Sequence, residues 1–109
     1  MSVLSDARLL EKIHDKELRI DPFVFDNIQP SSIDLTLDNR IRTPKSGITL
    51  NAFDADIEEC FEEKILDEYV LKPGDFIIGQ IKETIGLSKR MTGLIQNRNS
   101  LIRLGINVG

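Results

Sequence analysis

Gln29-Pro30-Ser31-Ser32-Ile33-Asp34-Leu35-Thr36-Leu37 is the stretch that decides the fold. After Pro30 the residues alternate: Ile33, Leu35 and Leu37 fall on one side, Asp34, Thr36 and Asp38 on the other. A period of two is that of a half-buried β-strand. On either side of it the chain is cut into short segments by turn residues. Leu18 and Ile20 alternate with polar neighbours up to Asp21-Pro22. Pro44 to Gly47 marks a turn, with Ile48 and Leu50 hinting at a strand beyond it. Residues 54–64 have no clean period and read as an acidic surface excursion. Ile65–Leu71, Phe76–Ile81, Thr84–Leu87 and Thr92–Gln96 are further strand candidates, and Ile106–Val108 begins another. Between the first two lies Lys72-Pro73-Gly74-Asp75, where Pro73 presets its φ and Gly74 permits the positive φ of a type II turn.

Two helical signals frame these strands. Ser5 is a good N-cap, Asp6 suits a first turn, and Leu9, Leu10 and Ile13 recur at helical spacing, so residues 6–16 read as an amphipathic helix. Near the other end Asn99 or Ser100 can cap a short helical turn through Leu104, and Gly105 sits where a C′ glycine belongs. One helix followed by many short strands predicts a mainly β domain, barrel-like or jelly-roll, over residues 1–109. A strand just begun at Ile106 suggests a continuation in a longer protein or completion by partner subunits.

Fourteen basic residues against eighteen acidic give a net charge of −4. That argues against sequence-independent binding of nucleic acid. The charge is uneven. Residues 54–71 hold eight acids and Lys64 alone as base, whereas residues 72–109 hold six bases against Asp75 and Glu83. Cys60 is the single cysteine, so no intrachain disulfide forms, and a reducing, cytoplasmic setting is the expectation. The first ten residues carry Asp6 and Arg8 and lack a signal-peptide core. No apolar run approaches the ~20 residues of a membrane-spanning helix, and no membrane partner is expected.

Chemistry is concentrated in Gln96-Asn97-Arg98-Asn99-Ser100-Leu101-Ile102-Arg103-Leu104-Gly105. Free backbone N–H groups, the Asn99 and Ser100 side chains and the Arg98 guanidinium would together cradle a phosphate. Arg103 lies one helical turn after Asn99 and can reach the same face. An ordinary capped turn with surface arginines is the competing reading. His14 has no partner ligands at metal spacing, and the His-x-Glu and Pro-Cys-x-x-Cys signature of zinc deaminases is absent, so no zinc site is expected.

Four blocks in register resemble the dCTP deaminase family, a branch of the trimeric deaminase/dUTPase proteins. Ser5–Leu10 is similar to its first helix. Ile28–Leu37 resembles its QPASIDLRL strand, Leu71–Phe76 its LKPGEF turn, and Asn97–Gly105 its GRSSLARLG phosphate motif. The resemblance implies a β-clip fold of dUTPase type and a homotrimer with sites between subunits. It also implies a pyrimidine deoxynucleoside triphosphate substrate, with Mg²⁺ carried on the phosphates. The implied reaction is hydrolytic deamination of dCTP to dUTP. A dUTP diphosphatase or a bifunctional dUMP-forming relative is the alternative, and so is an inactive nucleotide-binding relative. By the same resemblance Arg98, Asn99 and Ser100 hold triphosphate oxygens, while Arg103 and Asn99 serve the base and the reacting water. Two residues depart from the motif: Asn97 replaces a glycine and Asn99 a serine. The catalytic glutamate of the family is expected beyond Gly109, so residues 1–109 alone are expected to be inactive.

Overall fold

A computed structural model describes residues 2–47, 49, 51, 53 and 56–109, without the side chain of Ile57. The chain opens with α1 (Asp6–His14). The Ser5 hydroxyl accepts from the Arg8 amide, as an N-cap should, and Leu9 is the buried residue of the helix. The helix stops at Asp15, where Lys16 takes a left-handed φ of 61° and the Glu17 carboxylate closes on Lys12 Nζ at 2.7 Å. Strand β1 (Leu18–Asp21) follows and pairs antiparallel with β5 (Thr84–Leu87), Leu18 facing Leu87 and Asp21 facing Thr84. Both strands and the helix lie where the sequence puts them, the helix two residues shorter than predicted.

The second sheet has three antiparallel strands in the order β3-β2-β4: β2 is Leu37–Pro44, β3 Phe61–Ile65 and β4 Ile78–Ile81. In β2 the buried Ile41 and Thr43 alternate with Arg40 and Arg42. Those two arginines explain β3, four of whose five residues lie in the acidic stretch 54–64 that the sequence pattern presents as a surface excursion. Arg40 Nε lies 3.1 Å from Glu63, and Arg42 Nη1 lies 3.3 Å from Glu58 of a short helix α2 (Ile57–Cys60). Acids without local period thus become a paired strand edge, and Phe61 turns inward to meet Phe76 edge-on at 5.9 Å. β4 is shorter than the predicted Phe76–Ile81. Its pairing with β2 slips between Leu37 and Ile41, where a Cβ on Gly79 would come within 2.8 Å of Leu37 Cδ1.

Several strand expectations fail for one physical reason: ladder partners. The run from Ile33 does not enter a sheet until Leu37; Ile33 makes an isolated bridge to Ile28, and the Thr36 amide donates to the Glu83 carboxylate instead of a carbonyl. Residues 66–71 leave the sheet after β3. Thr92–Gln96 and Ile106–Val108 find no neighbouring strand among the described residues and stay irregular. The hint at Ile48 and Leu50 falls on residues outside those described. The predicted 72–75 turn is present, with Gly74 at φ 85° and the Asp75 amide donating to the Lys72 carbonyl at 3.0 Å.

The architecture is therefore mainly β, with antiparallel sheets and a short N-terminal helix, consistent with the dUTPase-like β-clip class. Its core is thin. Leu9, Leu18, Ile41 and Phe61 are the buried apolar residues among those described. The radius of gyration, 16.8 Å, exceeds the ~13 Å of a compact chain this long. No helix among the described residues is long and apolar enough to cross a membrane.

Candidate functional site

Asn97–Gly105 forms a closed turn. Helix α3 (Asn99–Ile102) starts after Arg98, whose extended backbone makes it the N-cap. The Leu101 and Ile102 amides donate to the Arg98 carbonyl at 3.0 and 3.1 Å. The sequence placed the cap at Asn99 or Ser100; both are instead the first helical residues, and their exposed side chains do not cap it. With Arg98 as N-cap the turn closes through the Gly105 amide, which donates to the Ile102 carbonyl at 2.9 Å, and the Ile106 amide, which donates to the Leu101 carbonyl at 3.1 Å, while Gly105 adopts φ 79° as the C′ position requires. The Arg103 amide donates to the Asn99 carbonyl at 3.1 Å, which sets the two residues one helical turn apart.

Asn97 closes the base of the turn. Its Nδ2 donates to the Ile106 carbonyl at 2.6 Å, joining the two ends of the loop. Its Oδ1 is buried with no donor among the described residues. Asn97 stands at the motif's glycine position, and sequence spacing carries no signal for this clasp.

Arg98, Asn99, Ser100 and Arg103 are all solvent-exposed on this turn. The amides of Asn99 and Ser100 donate to no acceptor among the described residues, so the turn offers hydrogen-bond donors beside a guanidinium. That combination can neutralise and orient an anion; an arginine cannot serve as a proton acceptor at neutral pH.

One residue that the sequence pattern treats as an outward strand position belongs here too. Asp34 is half-buried, and its Oδ2 lies 4.0 Å from Arg98 Nη1. Gln29 Nε2 donates to the same oxygen at 3.3 Å. Two of the blocks singled out in the sequence, 28–37 and 97–105, thus meet in space. Glu83 fastens the first block from the other side: both its oxygens accept from the Thr36 amide at 3.0 Å. Burial pushes the Glu83 carboxyl up, but the Thr36 amide and hydroxyl, the Glu83 amide and Lys82 outweigh it and hold the group below its ordinary value.

Other features lie apart. His14 is exposed at the end of α1, and Cys60 is half-buried where α2 meets β3. No three His, Cys, Asp or Glu side chains gather as a metal cage among the described residues. A cavity of about 370 Å³ lies between Thr43, Lys64, Tyr69, Asp75 and Phe76 and contains none of the turn's residues.

Comparison with known proteins bears on the same segments. Residues 3–109 match the family described as dCTP deaminase-like. The chain is 33% identical over 122 residues to a Nanoarchaeum equitans protein, covering 95% of this chain and 62% of the relative. It is 34% identical over 107 residues to one from Persephonella marina, covering 95% and 59%. It is 32% identical over 115 residues to one from Halobacterium salinarum, covering 97% and 58%. Each relative is named dCTP deaminase, dUMP-forming. The chain spans about three-fifths of the length of these curated relatives. The mainly β architecture, the closed turn at 97–105 and a match across nearly the whole sequence agree, and the chain belongs to the dCTP deaminase-like family.

Proposed function

We propose that this chain carries the triphosphate-binding part of a dCTP deaminase. The observation that carries the reading is the exposed turn on which Arg98, Asn99, Ser100 and Arg103 stand together, clasped at its base by Asn97. Arg98, Asn99 and Ser100 take the phosphate oxygens. Arg103, one turn on, serves the base and, with Asn99, the water that replaces the amine. Attack of water at C4 of cytosine and loss of ammonia give the uracil nucleotide. The family resemblance implies dUTP as the product. The name shared by the relatives favours a second hydrolysis, to dUMP and pyrophosphate, as the outcome in the whole protein.

Mg²⁺ fits this site as a partner of the substrate. Asp34 is the one carboxylate among the described residues paired with a side chain of the turn, so an ion there would take its oxygens from the triphosphate and water. The assembly proposed is a homotrimer. Its support is apolar surface around the turn: Leu94 is 81%, Ile95 76% and Leu104 75% exposed.

A second reading, a nucleotide-binding relative without turnover, is favoured by Asn99, which supplies an amide where the family motif has a hydroxyl. The test is titration of dCTP and dUTP with Mg²⁺ into residues 1–109, with ammonia and pyrophosphate release followed for a longer protein that carries the family's glutamate segment, with and without Asn99→Ser. Absence of binding removes both readings; product from the longer protein as it stands supports the enzyme, and product only with Asn99→Ser favours the second reading.

A further inference from the structure

We infer that Asp34 is a positioning residue for Arg98, holding one edge of the guanidinium so that the other faces the phosphates. This rests on the phosphate-binding reading of the turn. The two side chains differ in freedom. Asp34 is 27% exposed and Arg98 66%. The Asp34 amide donates to the Asn27 carbonyl at 2.8 Å, and Gln29 Nε2, itself 3.4 Å from the Asp26 carbonyl, holds Asp34 Oδ2. The carboxylate is therefore fixed by its own segment, and the arginine is the arm that moves against it.

At 4.0 Å the Arg98–Asp34 contact is an ion pair, too long for a hydrogen bond. It occupies only Nη1. The rest of the planar fork, which carries five donors in all, has no ion-pair partner among the described residues. An arginine in this arrangement presents a preoriented edge to an anion and loses less freedom on binding.

The sign of the effect separates this role from a bystander's. A carboxylate beside a triphosphate site repels the ligand, so removing it should tighten binding if it does nothing else. A positioning residue does the opposite.

The experiment is calorimetric titration of Mg²⁺-dCTP, and of inorganic tripolyphosphate, into the wild-type chain, Asp34→Ala, Asp34→Asn, Arg98→Lys and the Asp34→Ala/Arg98→Lys double variant. Asp34→Ala is expected to weaken both ligands about fivefold, the effect of ~1 kcal/mol at the upper end for a partly exposed pair. Asp34→Asn, which keeps the shape, is expected to weaken them less, and it carries the test if the alanine variant does not fold. In the Arg98→Lys background, where the fork is gone but the charge remains, Asp34→Ala should change affinity less than about twofold. Tighter or unchanged binding on losing the Asp34 charge overturns the inference. So does an equal loss in both backgrounds, or a loss for dCTP without one for tripolyphosphate. A wild-type chain that binds neither ligand overturns this inference together with the reading it rests on, whereas binding by the wild type with no Asp34 effect overturns this inference alone.

Discussion

Removing the Glu83 carboxylate should loosen the attachment of the 29–37 segment to the sheet. Glu83 is 8% exposed, and both its oxygens stand 3.0 Å from the Thr36 amide. A hydrogen bond to a charged acceptor is worth ~1.5–3 kcal/mol, so Glu83→Ala is expected to cost about 2 kcal/mol. Glu83→Gln keeps one neutral acceptor and should cost about 1 kcal/mol. With an unfolding entropy of ~2.1 cal/mol/K per residue, a chain of this length loses roughly 4 °C of melting temperature per kcal/mol, or about 9 °C for the alanine variant. The pH dependence follows from the direction of the shift. The folded carboxyl sits below its ordinary 4.5, so its contribution is present above that pH and is lost as pH falls through the folded value. Circular-dichroism melts at a series of pH values should show the gap between wild type and Glu83→Ala full at pH 7 and narrowing below about pH 4.5. Equal melting temperatures at pH 7, or a gap that stays constant into strong acid, would refute the reasoning.

Mg²⁺-dCTP at ~100 times its dissociation constant should stabilise the wild-type chain by about 2.7 kcal/mol, and Arg98→Ala should abolish the shift in a thermal melt. An ammonia-release assay on residues 1–109 is expected to show no turnover of dCTP, because Asp34, the carboxylate paired with the turn, is engaged with Gln29 and Arg98 and the arginines cannot accept a proton. Light scattering at micromolar concentration should report a trimer, and a stable folded monomer would count against the proposed assembly. Gly105→Ala places a Cβ on a residue at φ 79° and should lower stability by about 1 kcal/mol in urea titration, with no steric contact among the described residues to blame.

Local signals account for what the sequence revealed. The Ser5 cap and the Leu9 spacing define α1; the alternation at Leu18 and Ile20 defines β1; Gly74 and Gly105 take the positive φ their turns demand. Non-local pairing accounts for what it hid. Strand β3 has no period of its own and exists because Glu63 meets Arg40 and Phe61 meets Phe76. The reverse holds at Thr92–Gln96, which has strand-like residues and no ladder to join among the described residues. At the candidate site the turn bearing Arg98, Asn99, Ser100 and Arg103 was legible as a string. Its supports were not: the Asp34 contact links residues far apart in sequence, and the Asn97–Ile106 clasp depends on how the loop closes.

The pairing of β1 with β5 also sets an order in time. Asp21 meets Thr84 at about 60 positions' separation, so the first strand of the chain has no partner until nearly all of these residues exist. At ~5–20 residues per second on a ribosome, the intervening stretch takes roughly 3–13 s to make. Through that interval Leu18 is without the Leu87 it pairs with in the finished fold. Closing so long a loop costs entropy that only the completed pairing repays, so the nascent chain must carry the strand edge at Leu18–Asp21 bare until β5 emerges.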